Sequence, residues 1–311
     1  MENNLNKDII IRRLAIIKYL YNIGVQQSMQ VETIAGFSIL AFHDCAEMFL
    51  LLVAENKLVA ENKGKKDEVN FMSYWDKYPE LTLRESMRAL KDRRVSIKHK
   101  GQFPSKFDIE ISRSTMTDFL EQNTPIQFKI EFKDVSISNL VSYENVKMYI
   151  DMAESNYNEG NLYDCIVNCR IAFMELLSTY ELNKRKQYSI NSLLNIGDEI
   201  GEDYQKLVGS DDRSGARWFE QVTKTMNKVR EVLKITALGI DYRRYTYFET
   251  ITPEIHVWWK DGGRDYEAMP QEYYEKRNIL KGVDCRFCID FIIDSALKLQ
   301  EFDYDINNIL K

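Results

Sequence analysis

Histidine is scarce in this chain: three in 311 residues, at positions 43, 99 and 256. Chemistry that needs a group titrating near neutrality is confined to those places. Cysteine is sparse as well, and its five copies do not form the spaced framework of a disulfide-stapled fold. Cys165 and Cys169 stand one helical turn apart, and Cys285 and Cys288 make a C-x-x-C. Both pairs lie in apolar helical runs without a glycine-bearing knuckle, so they read as core thiols in preference to a four-thiolate zinc site. No apolar run reaches spanning length, because the stretch 37–53 is interrupted by His43, Asp44 and Glu47; a buried helix and no membrane association are expected. Ile9-Ile10-Ile11 is followed at once by Arg12-Arg13, which is not signal-peptide form, and a cytoplasmic location is the expectation. An excess of positive charge is also missing. With 42 Lys and Arg against 48 Asp and Glu, the formal charge is −6 and the pI about 5.4, which argues against broad nonspecific nucleic-acid binding. Gly-x-Ser-x-Gly, P-loop and dinucleotide fingerprints are absent, and Gly262-Gly263-Arg264 reads as a turn.

What is present is ample apolar material, 44% hydrophobic with 12% aromatic, enough for one long domain or two ordinary ones. Apolar periodicity predicts helices over about 7–22, 31–55, 71–78 and 82–100, with a lysine-rich loop at 61–67 and a further helix beginning near 112. Gln127-Phe128-Lys129-Ile130-Glu131-Phe132 alternates polar with apolar, a strand signal, and 135–140 could pair with it as a hairpin that marks a boundary. Beyond it the plan recurs faintly. A helix hairpin is expected over 146–159 and 162–180, then a long helix over 216–236, with strand-like segments at 245–251 and 254–259. The fold class expected is mainly α: two helical bundles, residues 1–140 and 141–311, each with a small β-hairpin appendage. In this reading Glu175 of the second half corresponds to Glu47 of the first, and Arg230 to the arginine discussed next, with no histidine near it. His256 reads as an exposed strand residue, and Trp258-Trp259 as a base-stacking surface or, more commonly, a packed one.

The most informative run is Arg93-Arg94-Val95-Ser96-Ile97-Lys98-His99-Lys100-Gly101. Leu83, Met87, Leu90 and Ile97 form a helical stripe on which position 94 also faces the core. An arginine there needs a buried carboxylate or an anionic ligand, since guanidinium keeps its proton. Its fork of donors suits phosphate, and His99 adds a proton carrier flanked by Lys98 and Lys100. Five residues at 3.6 per turn, however, set Arg94 and His99 about 140° apart. Either the helix loosens near Gly101 or a second copy supplies the missing group. The plainer reading is an Arg–carboxylate pair plus a surface histidine.

These residues resemble the HEPN superfamily of all-α proteins, whose nuclease members carry an arginine, four to six residues of spacing, and a histidine. Arg94 to His99 fits with four intervening residues and Arg93 to His99 with five, although the small polar residue that often follows the family arginine is Val95 in one register and Arg94 in the other. The helix Ser38-Ile39-Leu40-Ala41-Phe42-His43-Asp44-Cys45-Ala46-Glu47-Met48 resembles the preceding family helix, with Glu47 in the place of its recurring glutamate and a natural partner for Arg94. The resemblance covers about residues 10–120. It implies a metal-independent endoribonuclease, needing no cofactor, in which the RNA 2′-hydroxyl attacks the adjacent phosphate. His99 would serve as acid or base and Arg94, with Arg93, Glu47, Lys98 and Lys100 in support, would stabilise the phosphate. The implied partners are an RNA substrate such as tRNA, a second copy in a homodimer through the first half, and an antitoxin or another component of a bacterial toxin–antitoxin or antiviral defence system. Two alternatives stand beside it. One is a non-catalytic helical binding or sensing module, with Arg94 and Glu47 as a structural pair. The other is a metal-dependent bundle hydrolase using His43, Glu47 and His99, since His43 and Glu47 share a helix face at i and i+4.

Overall fold

A computed structural model describes residues 5–60, 70–188, 213–260, 263–276 and 279–301. The protein is mainly α-helical, with one two-stranded antiparallel sheet among the described residues, and divides into two compact units, residues 1–140 and 141–311.

In the first unit the helices are α1 (Lys7–Ser28), α2 (Glu32–Ala35), α3 (Ser38–Ala60), α4 (Ser73–Lys77), α5 (Arg84–Lys100) and α6 (Lys106–Phe128). The helix read over 31–55 is thus two, broken at Gly36 and Phe37. The lysine-rich loop at 61–67 lies outside the described residues. Helix α3 is apolar nearly all round, with Ile39, Phe42, Cys45, Ala46, Phe49, Leu50, Leu52 and Val53 buried, as befits a helix enclosed by α1, α5 and α6. Gly24 permits the close approach of α1: a β-carbon there would stand 2.6 Å from the Phe42 ring. On the other side Phe49 packs edge-on against Phe119 and Phe128 of α6, with centroids 5.4 and 5.7 Å apart.

The expected hairpin over 127–140 does not form. Gln127 and Phe128 complete α6, Lys129 caps it in the left-handed conformation, and Phe132–Asp134 and Ile137–Leu140 are 3₁₀ turns tied down by Lys18, whose ammonium donates to the carbonyls of Phe132, Lys133 and Val135. The alternation that reads as a strand is satisfied instead by Phe128 on Phe49 and Phe132 against Tyr21. Among the described residues the first unit therefore has no β-hairpin appendage.

The second unit contains α7 (Glu144–Glu159), α8 (Leu162–Tyr188), α9 (Arg213–Ala237), α10 (Tyr242–Ile251), β1 (Ile255–Lys260), β2 (Gly263–Ala268), α11 (Gln271–Glu275) and α12 (Gly282–Glu301). Segment 245–251, read as strand-like, is helical: Asp241 accepts from the backbone N–H groups of Arg243 and Arg244, an N-cap that outweighs the aromatic composition. The hairpin read at 254–259 is present, with Ile255 opposite Ala268 and Lys260 opposite Gly263; positions 261 and 262 of its expected turn are outside the described residues. Helices α7, α8 and α12 form the core together with Phe248 of α10, and Phe173, Phe248 and Phe291 pack at tilted angles with centroids 4.8 to 5.4 Å apart. All five cysteines are free and buried. Burial and mutual proximity push the thiols of Cys169 and Cys288 up, keeping them neutral core groups.

Candidate functional site

Helix α5 is fixed at both ends. At its start the Thr82 backbone N–H donates to Asn123 Oδ1 (3.0 Å) and the Trp75 indole donates to the Thr82 carbonyl (2.8 Å). At its end Gly101 takes a left-handed conformation, φ 62°, with its N–H returned to the Ser96 carbonyl. Met87, Leu90 and Ile97 are buried along the core side and Arg94 sits between them, half-buried. Its Nε is buried and has no hydrogen-bond partner.

Across from it, α3 presents His43, Asp44 and Glu47. His43 is 1% exposed, lies flat on Phe71 with centroids 4.5 Å apart, and has both ring nitrogens buried without a hydrogen-bond partner. Burial first, then the positive charges of Arg94, Lys91 and Lys98, lower its pKa to about 4, so the ring is neutral at physiological pH. Glu47 Oε1 lies 3.7 Å from His43 Nδ1. Burial raises the Glu47 carboxyl, and Arg94 opposes that rise. Glu47 and Arg94 thus act on each other through the field without a direct ion pair among the described residues. One ligand atom each from His43, Asp44 and Glu47 falls within 4.8 Å of the others, a spacing that could hold a metal ion.

The other expected site residues fall elsewhere. Arg93 Nε donates to Asp108 Oδ1 at 3.1 Å, and Asp108 completes the capping box of α6 with Ser105, whose hydroxyl is the main cause of its lowered pKa. Arg93 is therefore engaged in joining α5 to α6. Lys98, His99 and Lys100 are exposed in the last turn of α5, a favourable end for positive charge. The helix continues unbroken through Lys100, so Arg94 and His99 diverge around it and His99 is not gathered with His43 and Glu47. Sequence reasoning missed Asp108 as Arg93's partner, although Ser105-Lys106-Phe107-Asp108 carries the S-x-x-D pattern of a helix start.

In the second unit Glu175 is buried and bonded to hairpin residues: Arg264 Nη1 donates to it at 3.3 Å and the Tyr266 hydroxyl also donates to it. The carboxylate is thus engaged by Arg264 and Tyr266 of the hairpin. On α10, Arg244 Nη1 meets Asp294 of α12 at 2.6 Å. His256 is exposed on β1, and so is Trp258, whose indole reaches Glu267 at 3.2 Å. Comparison with protein-family models, curated proteins and solved structures returns no match for this chain.

Proposed function

We propose that the protein is a metal-independent endoribonuclease of the HEPN type, acting in a bacterial toxin–antitoxin or antiviral defence setting. The observation that carries this reading is Arg94: a half-buried guanidinium whose Nε has no partner, on one face of α5 with Lys91 and Lys98. Such a group is completed by an anion, and a phosphodiester supplies one. In the reaction the ribose 2′-oxygen bonds to the adjacent phosphorus and the P–O5′ bond breaks, leaving a 2′,3′-cyclic phosphate and a 5′-hydroxyl. Arg94 neutralises the developing charge on the phosphoryl oxygens. His99 takes the 2′-hydroxyl proton or delivers one to the leaving oxygen. Because α5 is regular, one copy cannot aim both side chains at one phosphate; the site is composite, with Arg94 of one copy and His99 of another. Lys98 and Lys100 bring the RNA backbone to the helix end.

A second reading, metal-dependent hydrolysis at His43, Asp44 and Glu47, draws on the unpartnered nitrogens of His43 and the convergence of the three ligand atoms. Cleavage assays on tRNA and total RNA with chelator present separate the two. Activity that survives chelation and disappears in His99→Ala supports the HEPN reading, whereas chelator-sensitive activity that survives His99→Ala supports the metal site.

A further inference from the structure

Helix α9 leaves its longest apolar stripe exposed. Trp218, Val222, Met226, Val229 and Leu233 are all exposed, from 38% at Val222 to 65% at Trp218. At 100° per residue these five fall within an arc of about 80° on the helix surface. The side turned to the rest of the unit is mixed: Ile235 and Thr223 are buried, Lys234 donates to Glu181 at 2.6 Å, and Glu231 accepts from the Tyr245 hydroxyl. Lys224 and Lys228, which bond to Glu220 and Glu231 within α9, lie away from the apolar arc. Folding of the single chain thus uses Ile235 and the polar side chains around it and leaves the longer apolar stripe exposed, unlike an ordinary surface helix.

We infer that the apolar face of α9 is the interface between two copies of this chain. Val222, Met226, Val229 and Leu233 follow at spacings of 4, 3 and 4, the repeat of a heptad seam, which is matched by another helix with the same repeat. The five side chains present roughly 500 Å² of apolar surface, as much as the largest single patch on an ordinary monomer, which is often functional. Two such faces together remove roughly 1,000 Å² from water before their flanks are added, at the lower edge of specific interfaces. The charges of α9 stand outside the arc, so pairing two stripes buries no unpaired charge. This interface lies within the second unit and does not depend on the ribonuclease reading.

The test is the mass of the full-length protein by sedimentation equilibrium over a dilution series, for wild type and for Val229→Asp and Met226→Asp, with far-ultraviolet circular dichroism to verify helicity. The expected result is self-association of the wild type that reverses on dilution, and variants in which that association is shifted at least tenfold higher in concentration, with unchanged helix content. A monomeric wild type overturns the inference, as does a dimer insensitive to both substitutions. A wild type that stays monomeric but floats with phosphatidylserine vesicles overturns it in favour of a lipid occupant. If both variants lose helix content, disulfide crosslinking of Val229→Cys decides: crosslinked dimer supports the interface and its absence overturns it.

Discussion

Protonating His43 would place a charge on a ring that is 1% exposed, beside Arg94, Lys91 and Lys98. The folded pKa is about 4 against an ordinary 6.5, so during acidification the unfolded chain takes the proton first. Stability present above pH 6.5 should be lost as the pH falls towards about 4, amounting to about 3 kcal/mol for the fully neutral ring. In His43→Phe, which keeps the stack on Phe71, that part of the pH dependence should vanish. Denaturation at several pH values checks it, and parallel curves for the two proteins would refute the assignment. Arg94 makes a different forecast. Its buried Nε has no partner, so Arg94→Met should leave the melting temperature within a few degrees of wild type. RNA cleavage should fall about 10²- to 10³-fold, and Arg94→Lys should restore little of it because a point charge does not replace the fork. A melting temperature that collapses while activity per folded molecule persists would identify Arg94 as structural.

At the scale of elements, the approach of α1 to α3 at Gly24 yields a prediction opposed to helix propensity. Alanine in a helix gains up to about 1 kcal/mol over glycine, but here the added methyl meets the Phe42 ring at 2.6 Å. Gly24→Ala should therefore destabilise by about 1–2 kcal/mol, and Phe42→Leu should recover part of the loss in the double variant. Thermal melts of the four proteins of that cycle measure both effects. Asp108→Ala should cost about 1–2 kcal/mol, since it removes the reciprocal cap of α6 and the partner of Arg93 together.

These elements also mark what was legible in the sequence. Helix α5 could be read almost to the residue because Met87, Leu90 and Ile97 hold the 3.6 period and Gly101 stops it. The segments 127–132 and 245–251 read as strand-like yet fold as helix and turn, because six or seven residues are too few to separate a strand from a helix end by pattern alone. Long-range packing decided both, Phe128 on Phe49 and Phe248 on Phe173 and Phe291. At the candidate site the exposure of His99 and the regularity of α5 follow from helix geometry, whereas the pairing of Arg93 with Asp108 needed the approach of α6, which local pattern does not encode. The exposed stripe of α9 was written in the spacing of Val222, Met226, Val229 and Leu233 but reads from sequence as an ordinary core stripe; only the packed structure shows it turned to solvent.

For the whole molecule, each compact unit carries its own core. The first is continuous from Ile10 to Val135 and encloses Phe42, Phe49 and Phe119. A fragment of residues 1–140 should accordingly unfold cooperatively, with loss of helical signal and of aromatic near-ultraviolet signal at one midpoint. Non-coincident transitions would show that this core needs the second unit. A composite site built from Arg94 and His99 of different copies adds that mixing inactive Arg94→Met with inactive His99→Ala protein should restore cleavage, because a mixed pair contains one intact site.

The ribonuclease reading is decided by incubating purified protein with tRNA and total RNA in chelator, beside His99→Ala, and identifying the product ends. Chelator-resistant cleavage by the wild type is expected, with 2′,3′-cyclic phosphate and 5′-hydroxyl termini, and no cleavage by a His99→Ala protein with wild-type circular dichroism. Undiminished cleavage by that variant, or cleavage by the wild type that stops when divalent ions are chelated, would contradict that reading.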